Sequence, residues 1–195
     1  VEILQRRLEP LLERLEWLNL GGGYLFREDQ NRTPLRRVLE TLETYPNLEV
    51  MFEPGSSLIR RAGHLVSTVV DRFASEGREI AVLDTTVNHL PEVFEYQYHH
   101  DVWSESAGGE YEYTLAGSTC LAGDLFGTYT FEEPLEIGSR VIFENAGSYS
   151  LVKAHTFNGV ALPSFYTADA TGELTRLKEY GYDQYRQRYT ATGSQ

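Results

Sequence analysis

The sequence predicts an α/β segment followed by an all-β domain. Three observations carry this: a strand–helix–strand order in the first 60 residues, a change after Gly63 to short β-branched and aromatic runs, and a mixed-charge stretch near the end. Leu4, Leu8, Leu11, Leu12 and Leu15 recur at helical spacing, with Pro10 expected to kink or restart that helix. The apolar run 17–20 reads as a strand and ends in Gly21-Gly22-Gly23. Thr33-Pro34 supplies an N-cap and a first-turn proline for a helix whose Leu35, Val38, Leu39 and Leu42 share one face. Residues 48–52 read as a second buried strand, stopped by Glu53-Pro54-Gly55. This order implies a parallel pair joined by a right-handed crossover. The glycine loop and the Glu53 turn then emerge together at the carboxyl edge of the sheet, where α/β proteins bind ligands.

After Gly63 the stretches 64–72, 78–84, 93–98, 111–115, 127–131, 140–144 and 149–157 read as strands of an antiparallel sheet or barrel, with Gly, Pro, Asn and Asp between them. Residues 173–189 read as one or two surface helices, and 190–195 as a flexible tail. The chain opens at Val1 inside a predicted helix and has only two lysines, Lys153 and Lys178, which reads as part of a longer protein.

Composition narrows the functional classes. With 29 acidic against 17 basic residues, the net charge of −12 disfavours nucleic-acid binding, which needs a basic face, and favours a cationic ligand. The single cysteine, Cys120, excludes an internal disulfide and fits a reducing compartment. No apolar run is long enough for a membrane span. The five histidines have no metal-ligand spacing apart from His99-His100, whose side chains diverge on a strand, so no metal site is expected.

A few residues can carry chemistry. Gly21, Gly22 and Gly23 can turn several backbone N–H groups toward one phosphate, or can form a loose turn. Glu53, before a rigid Pro-Gly turn, can pair with a protonated ring nitrogen or an amine, or be a solvated turn acid. The small-residue loop 117–124 presents the Cys120 thiol and the Asp124 carboxylate, suited to a nucleophile or proton donor beside an amine-binding acid. An inert core cysteine is the alternative. Tyr149, at the start of an expected strand, can offer its hydroxyl to a phosphate or sit half-buried in the sheet.

Taken jointly, Trp17-Leu18-Asn19-Leu20-Gly21-Gly22-Gly23, Glu53-Pro54-Gly55, Leu83-Asp84-Thr85-Thr86-Val87-Asn88-His89 leading into Pro91-Glu92-Val93, Thr119-Cys120-Leu121-Ala122-Gly123-Asp124, and Phe143-Glu144-Asn145 through Tyr149 to Phe157-Asn158-Gly159 resemble one family. It is the pyridoxal-phosphate-dependent decarboxylases of the alanine-racemase-like fold, the group with ornithine and diaminopimelate decarboxylases, and most closely its carboxypolyamine branch. The resemblance implies that residues 1–62 are the last strands of a TIM-like (β/α)8 barrel and 63–189 a C-terminal β-barrel or sandwich domain. It implies decarboxylation of carboxynorspermidine or carboxyspermidine in polyamine biosynthesis, in a cytoplasmic homodimer with shared active sites. Gly21, Gly22, Gly23 and Tyr149 would bind the cofactor phosphate. Glu53 would pair with its pyridinium nitrogen, Cys120 would reprotonate Cα, and Asp124 would hold the distal amine. Ser56 and Leu121 depart from the ornithine-type pattern, which has an arginine and an acid there. The family's Schiff-base lysine has no counterpart, because Lys153 and Lys178 lie elsewhere. A catalytically inactive homologue that dimerises with a partner, or a related diamino-acid decarboxylase, is the alternative.

Overall fold

The computed structural model describes the backbone of residues 2–24 and 32–190, with side chains from 7–24 and 35–190. It divides into two compact units, Val1–Arg61 and Ala62–Gln195.

The first unit begins with α1 (Glu2–Leu12), which runs through Pro10 as one helix. Beyond the proline the ladder continues, with Glu13 N donating to Glu9 O and Leu15 N to Leu11 O. The expected restart is therefore absent, because a proline costs its own donor and not those that follow. Strand β1 (Trp17–Asn19), helix α2 (Arg32–Leu42) and strand β2 (Glu49–Met51) follow. The expected Thr33 cap lies outside the described side chains, and the helix itself starts at Arg32. Leu42 is buried and Leu35, Val38 and Leu39 are half-buried, as their spacing predicts. The strands pair in parallel, Trp17 with Glu49 through Asn19 with Met51. The second strand is not buried, for Met51 is exposed and Val50 only half-buried. A two-stranded sheet has too few neighbours to cover both faces. Helix α3 (Gly55–Ile59) follows the Glu53-Pro54 turn.

The second unit is built on β3 (Leu65–Ser75), β4 (Arg78–Leu83), β5 (Tyr111–Ala116), β6 (Leu125–Phe131) and β7 (Arg140–Phe143), in the order β6-β5-β4-β3-β7. The sheet is mixed, not wholly antiparallel as expected: β4 and β5 run parallel, since residues 84–110 carry the chain back before it pairs again. A register shift between Val69 and Asp71 lets β3 pair first with β7 and then with β4. The two edges are tied by residues 101–106. Trp103 N donates to Ile142 O and Glu144 N to Asp101 O on the β7 side, and Ser106 N donates to Thr130 O on the β6 side. The sheet therefore curls until its edges meet through this segment. Alternating residues fill the interior: Leu65, Val69, Leu83, Tyr113, Leu115, Phe126, Tyr129, Phe131, Val141 and Phe143 are buried.

Three expected elements differ. Residues 93–98 do not form a strand; α4 (Glu92–Tyr96) occupies them, opened by Pro91 and with Glu92 and Glu95 in its first turn. Residues 149–157 form no strand: 149–153 are turns, with left-handed backbone at Tyr149, and Phe157 opens a 3-10 turn. The stretch 173–189 holds β9 (Leu174–Lys178), paired antiparallel with β8 (Phe165–Ala168), before α5 (Tyr182–Gln187), so only its end is helical. The Asp169 carboxylate forms the hairpin turn by accepting from Thr171 N, Thr171 Oγ1 and Glu173 N, and these bonds hold its pKa below the ordinary carboxylate value. The expected tail, apart from Thr190, lies outside the described residues.

Phe143 is fully buried between Phe126 and Tyr129 at the point where the curled sheet closes. Phe143→Ala is expected to destabilise the sheet domain by about 3–5 kcal/mol; an unmoved urea unfolding midpoint would show that the closure does not depend on this ring.

Candidate functional site

In the α/β unit, parallel pairing brings the glycine loop and the Glu53 turn together at the carboxyl ends of the strands. Leu20 N donates to Met51 O and Glu53 N to Gly21 O, both at 2.9 Å, which extends the ladder into the loops. Gly21 and Gly23 adopt φ of +71° and +84°, conformations that disfavour side chains. A Cβ on Gly22 would stand 2.6 Å from the Glu53 carbonyl oxygen, so only glycine permits this approach. Asn19, at the end of β1, organises the edge: its Oδ1 accepts from Gly21 N at 2.8 Å and its Nδ2 donates to Glu53 Oε1 at 2.7 Å. Gly21 N is thereby occupied. Among the described residues the amides of Gly22 and Gly23 have no acceptor, which suits them to an anion. Asn19 belongs to the strand–glycine motif, where residue type alone gives it no role. Its signal was its place between strand and glycines.

In the sheet domain, the loop between β5 and β6 carries Cys120 and Asp124 and is stitched to the turn 84–90 by Ser118 N donating to Thr85 O at 2.9 Å. Cys120 is exposed, not a core thiol, and its Sγ accepts from Asn158 Nδ2 at 2.9 Å. Asn158 occupies a left-handed position in the 3-10 turn Phe157–Gly159.

Asp124 departs from its expected place. It is 6% exposed, and its two oxygens accept four hydrogen bonds: Oδ1 from Thr86 Oγ1 (3.0 Å) and Val87 N (2.8 Å), Oδ2 from Thr119 N (3.0 Å) and Thr119 Oγ1 (2.5 Å). A carboxylate has about four acceptor sites, and these donors fill them, so the amine-holding role expected of Asp124 is not supported.

Tyr149 is also placed differently. It lies in a turn, half-exposed at 52% with φ +54°, with its ring 6.0 Å from Lys153 Nζ. Lys153 is ion-paired with Glu95, which holds the ammonium pKa up, and also faces the Tyr96 ring. The expected divergence of His99 and His100 holds, the first exposed and the second buried, although the segment is not a strand. Among the described residues no group of three His, Cys, Asp or Glu gathers to hold a metal ion, and no helix is long and apolar enough to cross a membrane.

His89, one of the five histidines, is buried in the turn to which the Cys120 loop is stitched. Its Nδ1 bonds Thr85 Oγ1 at 2.8 Å, and its Nε2 is buried without a hydrogen-bond partner among the described residues. Burial, opposed by the Asp124 charge and aided by His155, pushes its pKa down to about 4.

Residues 30–147 match the family description "Pyridoxal-dependent decarboxylase, C-terminal sheet domain". The chain belongs to this family. It is 37% identical over 190 residues to carboxyaminopropylagmatine decarboxylase of Synechocystis sp., covering 95% of this chain and 49% of the relative. It is 34% identical over 188 residues to carboxynorspermidine/carboxyspermidine decarboxylase of Herminiimonas arsenicoxydans, covering 93% of this chain and 50% of the relative. A crystal structure of carboxynorspermidine decarboxylase complexed with norspermidine from Campylobacter jejuni is 30% identical, with a TM-score of 0.79 over 96% of this chain and 55% of that one. The chain thus spans about half the length of the curated relatives it matches.

The neutral state of His89 is built into the fold, whereas the unfolded chain takes up a proton near the ordinary value of 6.5. Stability from this site is therefore complete above pH 6.5 and falls as the pH drops toward 4, by up to about 3 kcal/mol. His89→Gln should flatten that part of the pH–stability curve, and identical slopes in the two proteins would contradict the assignment.

Proposed function

We propose that the chain supplies the sheet domain and part of the cofactor-facing barrel of a pyridoxal-phosphate-dependent decarboxylase acting on carboxynorspermidine or carboxyspermidine. The observation that carries this reading is the exposed Cys120 thiol, held by Asn158 on a loop of the family's sheet domain. On the same reading residues 1–62 are the last barrel strands, 63–189 the C-terminal domain, and the protein a cytoplasmic homodimer with shared active sites. The parallel β1–β2 pair supports the first assignment, and an exposed free thiol suits the reducing cytoplasm.

The residues present fit the cofactor. Gly22 and Gly23 offer unpartnered amides where a Cβ on Gly22 would collide with the Glu53 turn. These amides would hold the phosphate, with Gly21 shaping the loop and the Tyr149 hydroxyl adding a donor. Glu53, steadied by Asn19, would keep a proton on the ring nitrogen. When bound, pyridoxal phosphate supplies an electron-poor ring that accepts the electron pair left as CO2 departs. Cys120 would then deliver a proton to Cα of the substrate, with Asn158 steadying the thiolate that remains.

A polycationic substrate agrees with the charge of −12. One finding favours a second substrate. The 37% identical relative is named for carboxyaminopropylagmatine, which also carries a carboxylate on a cationic polyamine chain, so it belongs in the same assay.

In the full-length protein, Cys120→Ala is expected to lower kcat on all three carboxypolyamines by about 10²–10⁴ while cofactor binding, followed by its visible absorbance, is retained. Unchanged turnover would remove Cys120 from the chemistry. Glu53→Gln should lower kcat with the protein still loaded, and loss of cofactor alone would reassign Glu53 to binding.

A further inference from the structure

The Asp124 carboxylate is a clamp. Its donors come from two separate pieces of chain: Thr86 and Val87, in the turn that follows β4, and Thr119, in the loop that carries Cys120. The same loop is tied to that turn by Ser118 N on Thr85 O, and it is closed on itself by Gly117 N on Asp124 O at 2.7 Å. Gly117 is glycine for a reason visible here: a Cβ at that position would overlap the Asp124 carboxylate. Thr119 and Asp124 thus bracket Cys120 on both sides, the anion buried and the thiol exposed.

We propose that Asp124 is a positioning residue for the Cys120 thiol, acting through Thr119 and the turn 84–90 and not on the substrate. This rests on the reading of Cys120 as proton donor. An ionised carboxylate with four donors holds its loop more firmly than neutral bonds do. Loop position decides whether Sγ keeps the Asn158 contact, and with it the thiol's aim. Asp124→Asn keeps one carbonyl oxygen for Thr86 and Val87 but turns an NH2 toward Thr119 N–H, so the clamp opens on the Cys120 side.

The test uses the full-length holoenzyme and two readouts. The first is the pH dependence of Cys120 alkylation by iodoacetamide, located by peptide mass spectrometry. The second is kcat and KM on the carboxypolyamine the enzyme turns over. Thr119→Val and Gly117→Ala, which keep the Asp124 charge, should change the alkylation profile and lower kcat about tenfold or more with KM within about twofold. Thr119→Ser should restore both. Asp124→Asn should show the same split, a loss in kcat and not in KM. The result that overturns the proposal is a tenfold rise in KM for Asp124→Asn with kcat retained, together with unchanged alkylation in Thr119→Val, because that is the signature of direct amine binding. If Asp124→Asn fails to fold, the Thr119 and Gly117 variants decide the matter alone. Should Cys120→Ala turn over normally while the alkylation profile still shifts, the proton-donor reading fails and the clamp stands.

Discussion

Closure of the curled sheet by residues 101–106 is the constraint on which the second unit depends. A five-stranded sheet with free edges would leave β6 and β7 with unpaired backbone groups. Here one short segment, turned at Trp103-Ser104, bonds to both, and Asn145 Nδ2 reinforces it by donating to Asp101 Oδ2 at 2.7 Å. Closure also encloses the interior, so that Phe126, Tyr129 and Phe143 pack edge and face, and the buried Tyr129 hydroxyl finds the His100 and Phe126 carbonyls. From this rigid body the loop between β5 and β6 projects, and Cys120 inherits its position from the sheet.

Much of this was legible in the sequence where periodicity was strong. Strands 65–75, 78–83, 111–116 and 140–143 lie within a few residues of their expected places, since alternating apolar and polar residues have one sheet face to bury. The parallel β1–β2 pair was legible from element order. Residues 93–98 misled because aromatic and β-branched composition suits a strand, while Pro91 and the two following glutamates suit a helix start, and only Val93 needed burial. The hairpin of β8 and β9 was hidden by charge: all nine of its residues are exposed, so no alternation is imposed on them. Its one local signal was the turn chemistry of Asp169 with Thr171-Gly172.

The candidate site was legible in kind but not in contact. Motif order supplied Gly21–Gly23, Glu53, Cys120 and Tyr149. No spacing rule could tell that Asp124, four residues from an exposed thiol, would be buried, because two of its four hydrogen bonds come from a turn more than 35 residues away. An acid in a small-residue loop is ambiguous between solvent and backbone. Which it meets is decided by tertiary neighbours, here Thr86 and Val87. The same turn also places His89 where burial outweighs the Asp124 charge, so an acidic neighbour does not make this imidazole a cation.

Among the described residues five other than glycine take left-handed conformations, Glu76, Gln97, Asn145, Tyr149 and Asn158, and two of them touch the 101–106 segment or the Cys120 loop. Asn145 and Asn158 take left-handed conformations that an amide side chain tolerates, and each side chain then donates to a neighbouring group, Asp101 or Cys120. Tyr149 takes the same conformation without that compensation, at a cost of about 1–2 kcal/mol. Glycine would remove the cost. An exposed aromatic in a strained turn contributes little to a core, so packing does not account for the tyrosine at this place.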